Sequence, residues 1–201
     1  MRAAHVARAL LVAAAGVALG SPAHAVPIPF DLTGFINATY SSPQSLTQGG
    51  QTLSITARDG SAAHNIVNIT GQAAGNGIGV AGNSNFVDSG ESLTFHFGPA
   101  VEQLVSTIVF EAGGDATAAT VAFFVDGVLK DTRMFGGTMA NTVLTLDFTS
   151  LHLTGTDFRL QSTAGSFRVQ QIQVDPVPGP TTLSLVGLGA LGIGVWSLRR
   201  R

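Results

Sequence analysis

The chain has 201 residues, 45% of them hydrophobic and 11% charged, with a formal net charge of −2 and no cysteine. The absence of thiols excludes disulfide frameworks, cysteine nucleophiles and thiolate metal sites. All twelve acids and only five bases (Arg58, Lys130, Arg133, Arg159 and Arg168) lie between residues 26 and 175, so this stretch carries −7, which argues against nucleic acid as a partner.

The N-terminus reads as a secretory signal. Arg2 and Arg8 give a positive start, Ala9 to Leu19 an apolar run, and Ala23-His24-Ala25 an A-x-A cleavage site, with Ala23 and Ala25 as the small residues a signal peptidase requires. Residues 1–25 are expected to be removed on export, and no cysteine follows to carry a lipid.

Residues 26–175 are long enough for one domain with its own core. They are rich in Thr, Ser, Gly, Val and Phe and poor in Lys and Glu, which favours strands. Ile28 to Ile36, Thr52 to Ala57 and Asn65 to Ile69 are short candidate strands, the last with no clear inner face because Ile66 and Val67 are adjacent. Gly71 to Gly82 is expected to be a loop or a pair of tight turns. In Glu91 to Phe97, Leu93, Phe95 and Phe97 share one face, and Ser92, Thr94 and His96 the other. Leu104 to Phe110 is apolar on both faces, as a central strand would be. Thr117 to Val125 turning at Asp126-Gly127 into Val128 to Phe135 is the strongest hairpin signal, since Asp-Gly suits a two-residue type I′ turn. Leu144, Leu146 and Phe148 alternate with polar residues, and Phe158 to Gln161 and Phe167 to Val174 close the set. Nine or ten strands without an amphipathic helix predict an antiparallel β-sandwich of jelly-roll type.

Asn83, Asn85, Asp88 and Glu91 crowd oxygen donors around a Gly-containing loop, which suits calcium; a solvated turn explains the same residues. His64, His96 and His152 stand singly, without the spacing of a metal site. No Gly-x-Ser-x-Gly elbow is present, and the Gly187-Leu188-Gly189-Ala190-Leu191-Gly192 run lacks the strand and acid that a dinucleotide fingerprint requires. The body is therefore read as noncatalytic.

Residues 176–201 form a third segment: Val177-Pro178-Gly179-Pro180, an uncharged apolar run from 181 to 198, then Arg199-Arg200-Arg201. Eighteen helical residues reach about 27 Å, close to the thickness of a bilayer core. Basic flanks stay on the cytoplasmic side, so the tail is expected to sit in the inner membrane as a transmembrane helix. This proline-bracketed motif, Gly-rich span and terminal arginine cluster resemble the PEP-CTERM sorting tail of Gram-negative, biofilm-forming bacteria. Val177, Pro178 and Pro180 match, whereas Gly179 stands where the family usually has Glu. The resemblance implies recognition and cutting by an exosortase-type membrane transpeptidase and delivery of the body to the cell surface or extracellular matrix.

Within the body, Gly77 to Val80, then Asp88, Gly90 and Glu91 leading into Leu93 to Phe97, with Val105 to Phe110, the Asp126-Gly127 hairpin and Phe167-Arg168-Val169, are similar to a β-sandwich module common among such surface proteins. That module is of the galactose-binding or carbohydrate-binding-module kind. The reading that follows is an exported surface or matrix protein with a structural or adhesive role, with polysaccharide binding, calcium-dependent or not, as the alternative. The scarcity of Trp and Tyr in the body, with Tyr40 alone, counts against sugar stacking.

Overall fold

The computed structural model describes residues 26–35, 38–68, 77–82, 84–98, 102–112, 118–135 and 143–177. The signal peptide with Ala23 and Ala25, Asn83 of the calcium candidates, and Pro178, Gly179, Pro180, the 181–198 run and Arg199 to Arg201 of the tail lie outside these residues; Val177 is the last one described. Among the described residues no helix is long and apolar enough to cross a membrane.

Residues Val26–Val177 form one compact unit. Its strands are β1 (Ile28–Asp31), β2 (Ala38–Tyr40), β3 (Gln44–Gln48), β4 (Gln51–Asp59), β5 (Ala62–His64), β6 (Ile66–Asn68), β7 (Ile78–Val80) and β8 (Glu91–Phe97). They continue as β9 (Gln103–Ala112), β10 (Ala119–Val125), β11 (Val128–Phe135), β12 (Val143–Asp147), β13 (Leu153–Gly155), β14 (Asp157–Ala164) and β15 (Phe167–Pro176), with a 3-10 turn at Thr149–Leu151. One sheet runs β12-β9-β15-β7-β6-β2, with β1 on β15 and β13 on β9; the other runs β11-β10-β14-β8-β4-β3, with β5 on β4. The paired strands are antiparallel, so the body is the expected all-β antiparallel sandwich. From β7 onward the chain passes back and forth between the sheets, the alternation of layers that a jelly roll entails.

The period-two segments became strands because each offers one face to the layer between the sheets. Leu93, Phe95 and Phe97 of β8 are fully buried, as are Leu53 and Ile55 of β4 and Phe110 of β9. Edge-on aromatic contacts link Phe30, Phe97 and Phe158 at centroid distances of 5.5 and 5.7 Å, and Phe110 meets Phe123 and Phe167 at 6.1 and 5.6 Å. Each such side chain contributes about 2–3 kcal/mol through burial, and each edge-on pair adds about 1 kcal/mol.

The Asp126-Gly127 turn forms as expected, with φ of 48° and 79° at its two central residues, the left-handed pair that type I′ demands. The strands outnumber the nine or ten expected because Ala38–Tyr40, Ala62–His64, Ile78–Val80 and Leu153–Gly155 are three residues each, too short to display a period. Ile78–Val80 corrects the expectation of a loop throughout Gly71 to Gly82. Its residues are all buried, and Gly79 is needed there because a Cβ would meet the carbonyl oxygen of Asn85 at 2.5 Å. Ile66 and Val67, the ambiguous pair of β6, are both buried.

The register sorts the loops into two poles. One carries the β3–β4 turn at Gly49-Gly50, the end of β8, the hairpin tip at Asp126-Gly127, Gly155 to Asp157 and the end of β15; the other carries residues 84–91 and the β14–β15 turn. Phe97 joins the aromatic contacts at the first pole. Phe97→Ala is expected to cost about 3–5 kcal/mol of unfolding free energy, measured by urea denaturation, and Phe97→Leu far less.

Candidate functional site

The hairpin tip is clamped to the start of β14 by one carboxylate. Oδ1 of Asp126 accepts from the Thr156 N–H (3.0 Å), the Thr156 hydroxyl (3.1 Å) and the Asp157 N–H (2.9 Å), while the Asp126 N–H donates to the Asp157 carbonyl (2.8 Å). Gly155 makes this approach possible: a side chain there would strike Val125 Cγ1 and the Asp126 carboxylate. Partial burial pushes the Asp126 pKa up, but the donors from Asp157 and Thr156, with Lys130 nearby, outweigh it and hold the carboxyl below the usual range.

The clamp walls an open groove of about 440 Å³ lined by Thr94, Asp126, Gly127, Thr156, Asp157 and Arg159. Its floor is the outer face of the β11-β10-β14-β8-β4-β3 sheet, the face opposite Leu93, Phe95, Phe158 and Leu160. On that face Asp157 stands opposite His96, which stands opposite Ser54. His96 Nδ1 and Asp157 Oδ1 lie 2.8 Å apart, both half-exposed. One strand position on, Arg159 lies between Thr94 and Phe124, its guanidinium carbon 3.9 Å above the Phe124 ring. Stacking of this kind holds the guanidinium flat, so its N–H edge is presented in a fixed orientation. The groove thus combines two carboxylates, a guanidinium and hydroxyls, with the His96 imidazole beside it on Asp157, a donor and acceptor set suited to a hydroxyl-rich ligand.

The sequence offered parts of this site. The hairpin and the polar face of Glu91 to Phe97 are legible in the sequence; Thr156, Asp157 and Arg159 carry no local motif, although Asp157, Arg159 and Gln161 alternate with apolar residues. What joins them is strand pairing across 31 residues from Asp126 to Asp157 and 61 from His96 to Asp157.

The calcium candidates lie at the opposite pole. Asp88 and Glu91 come together: the Asp88 N–H donates to Glu91 Oε2 (2.8 Å), the Glu91 N–H to the Asp88 carbonyl (2.9 Å), and the Ser84 hydroxyl to the Asp88 carboxylate. Asn85 is engaged elsewhere, its carbonyl accepting from Arg168 Nε at 3.2 Å. Among the described residues no group of three or more His, Asp or Glu side chains is placed to hold a metal ion. Burial pushes the Glu91 pKa up; the Asp88 N–H opposes this, and the charges of Asp88 and Asp59 add to it, so the carboxyl ends above the usual range.

A buried ion pair lies under the same segment. Arg168 and Glu111, opposite each other on β15 and β9, are 3.8 Å apart and almost fully buried, with Arg168 stacked 3.9 Å from the Phe86 ring. Burial raises the Glu111 pKa, while the Arg168 charge and the Gln170 side chain oppose the rise.

No family model matches the chain, and no curated protein matches it. Among solved structures it is similar to the C-terminal CBM6 of LamC, a marine laminarinase from Zobellia galactanivorans, at 9% identity over 75% of this chain and 99% of that one, with a TM-score of 0.37. It is also similar to a family 35 carbohydrate-binding module from Clostridium thermocellum (13% identity, 67% and 98% covered, TM-score 0.35). A third is the CBM36-1 domain of a multidomain xylanase from the hindgut metagenome of Trinervitermes trinervoides (15% identity, 63% and 99% covered, TM-score 0.35). At these values the likeness assigns neither a ligand nor a site.

Asp126 and Glu91 drive stability in opposite directions with pH. The Asp126 contribution is present above the ordinary aspartate range and is lost as pH falls through the lowered folded-state value. The Glu91 term favours the fold at low pH and is lost as pH rises through its raised value. Asp126→Ala is therefore expected to cost about 1 kcal/mol at pH 7 after solvent screening and less in acid. Glu91→Gln is expected to stabilise the protein at pH 7 and to flatten the fall in melting temperature above the glutamate range. Melting curves between pH 3 and 8 check both signs.

Proposed function

We propose that this chain is an exported, noncatalytic β-sandwich that binds polysaccharide at the cell surface or in the extracellular matrix. The groove beside the Asp126-Gly127 tip carries this reading. It is open, polar, and built from side chains whose orientations are fixed by the Asp126 clamp, the His96–Asp157 contact and the Arg159–Phe124 stack. Preorganised polar groups on a rigid sheet lower the ordering cost of binding. A surface adhesin that holds matrix polymer would use such a groove, which joins the structural role to a ligand class.

The route to the surface is proposed from the sequence: the signal before Val26, the PEP-CTERM-like motif at Val177 to Pro180, and the apolar run closed by Arg199 to Arg201. An exosortase-type transpeptidase would be the transient partner, and the inner membrane the transient location. β15 ends at Pro176, and the Val177 N–H donates to the Glu102 carbonyl (3.1 Å), so the motif starts where the last strand stops.

Two measurements test the proposal. Full-length protein should be retained on insoluble polysaccharides, and Asp157→Ala and Arg159→Ala should each reduce retention about tenfold or more while melting temperatures stay within a few degrees; retention by neither wild type nor variant would overturn binding. In the source cell, a tagged form should reach the envelope and lose its C-terminus near Val177 to Pro180, and deletion of residues 177–201 should abolish surface delivery. An intact, cytosolic chain would overturn the export route.

A further inference from the structure

The groove continues into a polar track that crosses the strands. From Asp157 the register steps to His96 on β8, Ser54 on β4 and Ser45 on β3, four polar residues in one line. A parallel line runs from Phe124 through Arg159 and Thr94 to Thr56. With strands about 4.8 Å apart, each line extends roughly 14 Å at a right angle to the strands. Beyond Arg159 the track has hydroxyls with no carboxylate among them, and each hydroxyl can donate or accept.

The chemistry of these lines selects a ligand. Asp126 and Asp157 place two carboxylates at the groove beside the guanidinium of Arg159 and, near Asp126, the ammonium of Lys130, so the groove holds no surplus of positive charge, and the body carries −7. Uronate or sulfate groups would find no cationic cluster there and would be repelled by the net charge of the body. Phe124, the aromatic side chain in these lines, is covered by Arg159, so no bare ring stands ready to stack on a sugar. Affinity then accumulates by separate hydrogen bonds, each worth only a several-fold gain, and so must grow with the length of chain laid down.

Resting on the polysaccharide-binding reading, we infer that the ligand is a neutral polysaccharide whose chain lies across the strands, from the Asp126-Gly127 groove over His96 and Ser54 to Ser45. Terminal sugars or charged polymers are not what this surface fits.

The test uses the full chain in detergent, with neutral glucan, xylan, mannan and galactan and the polyanions alginate and dextran sulfate as probes, followed by the dimer and hexamer of whichever neutral polymer is retained. Retention of a neutral polymer but of neither polyanion is expected, with the hexamer at least about tenfold tighter than the dimer. Ser45→Ala combined with Ser54→Ala should weaken the hexamer about fivefold and leave the dimer unchanged, whereas Arg159→Lys should weaken both. Equal affinity for dimer and hexamer, indifference to the serine changes, or preference for alginate or dextran sulfate would overturn the track while leaving polysaccharide binding intact. Retention of no probe at all would overturn both.

Discussion

The apolar layer between the two sheets is what everything else rests on, because a chain without cysteine has no covalent means of holding its strands in register. Phe30, Phe97 and Phe158 interlock in one set, and Phe148, Phe123, Phe110 and Phe167 form a second chain of contacts that reaches the other pole. A one-residue slip in β8 or β14 would turn Phe95 and Phe158 outward and point His96 and Asp157 into the core. The groove is therefore fixed by residues on the far side of its own strands. Packing sets where its residues stand, and the Asp126 clamp, the His96–Asp157 contact and the Arg159–Phe124 stack then orient their side chains.

Two polar arrangements sit at opposite poles and answer to different physics. At the groove, the carboxylates are near water, Asp126 accepts three hydrogen bonds, and the cost of holding them is small. Under Phe86, Arg168 and Glu111 are withdrawn from water at a separation too long for a good hydrogen bond, and the Arg168 charge and the Gln170 side chain offset the burial of the carboxylate only in part. Such a pair adds little net stability, yet removing one partner would strand a buried charge. Its effect is to tie the 84–88 segment to β9 and β15, through the Arg168 bond to Asn85 and the stack on Phe86.

The sequence disclosed the layers better than the surface. Alternation in Glu91 to Phe97 and the Asp-Gly turn identified two strands and a hairpin because both signals are local: a period of two, and two residues that tolerate positive φ. Short strands such as Leu153–Gly155 exist only because a neighbour is already in place, so nothing local announces them. The groove is non-local in the same sense. Thr94, Asp126 and Arg159 come from three strands or their ends, and each alone reads as an ordinary solvated residue. The crowded Asn and Asp residues before β8 are conspicuous for the opposite reason: they are close in sequence, but the Asn85 carbonyl accepts from Arg168 while the Asp88 N–H donates to Glu91.

The pairing of β1 with β15 sets the order of events in folding. β15 fills the middle of its sheet, with β9 along one side and β1 and β7 sharing the other, yet it is the last of the described strands to be synthesised. Ile28 therefore waits for Val174 through nearly the whole length of the body, and loop closure over that span is slow and entropically expensive. No N-terminal fragment can complete this sheet, so its middle stays open until residues 167–176 have been made.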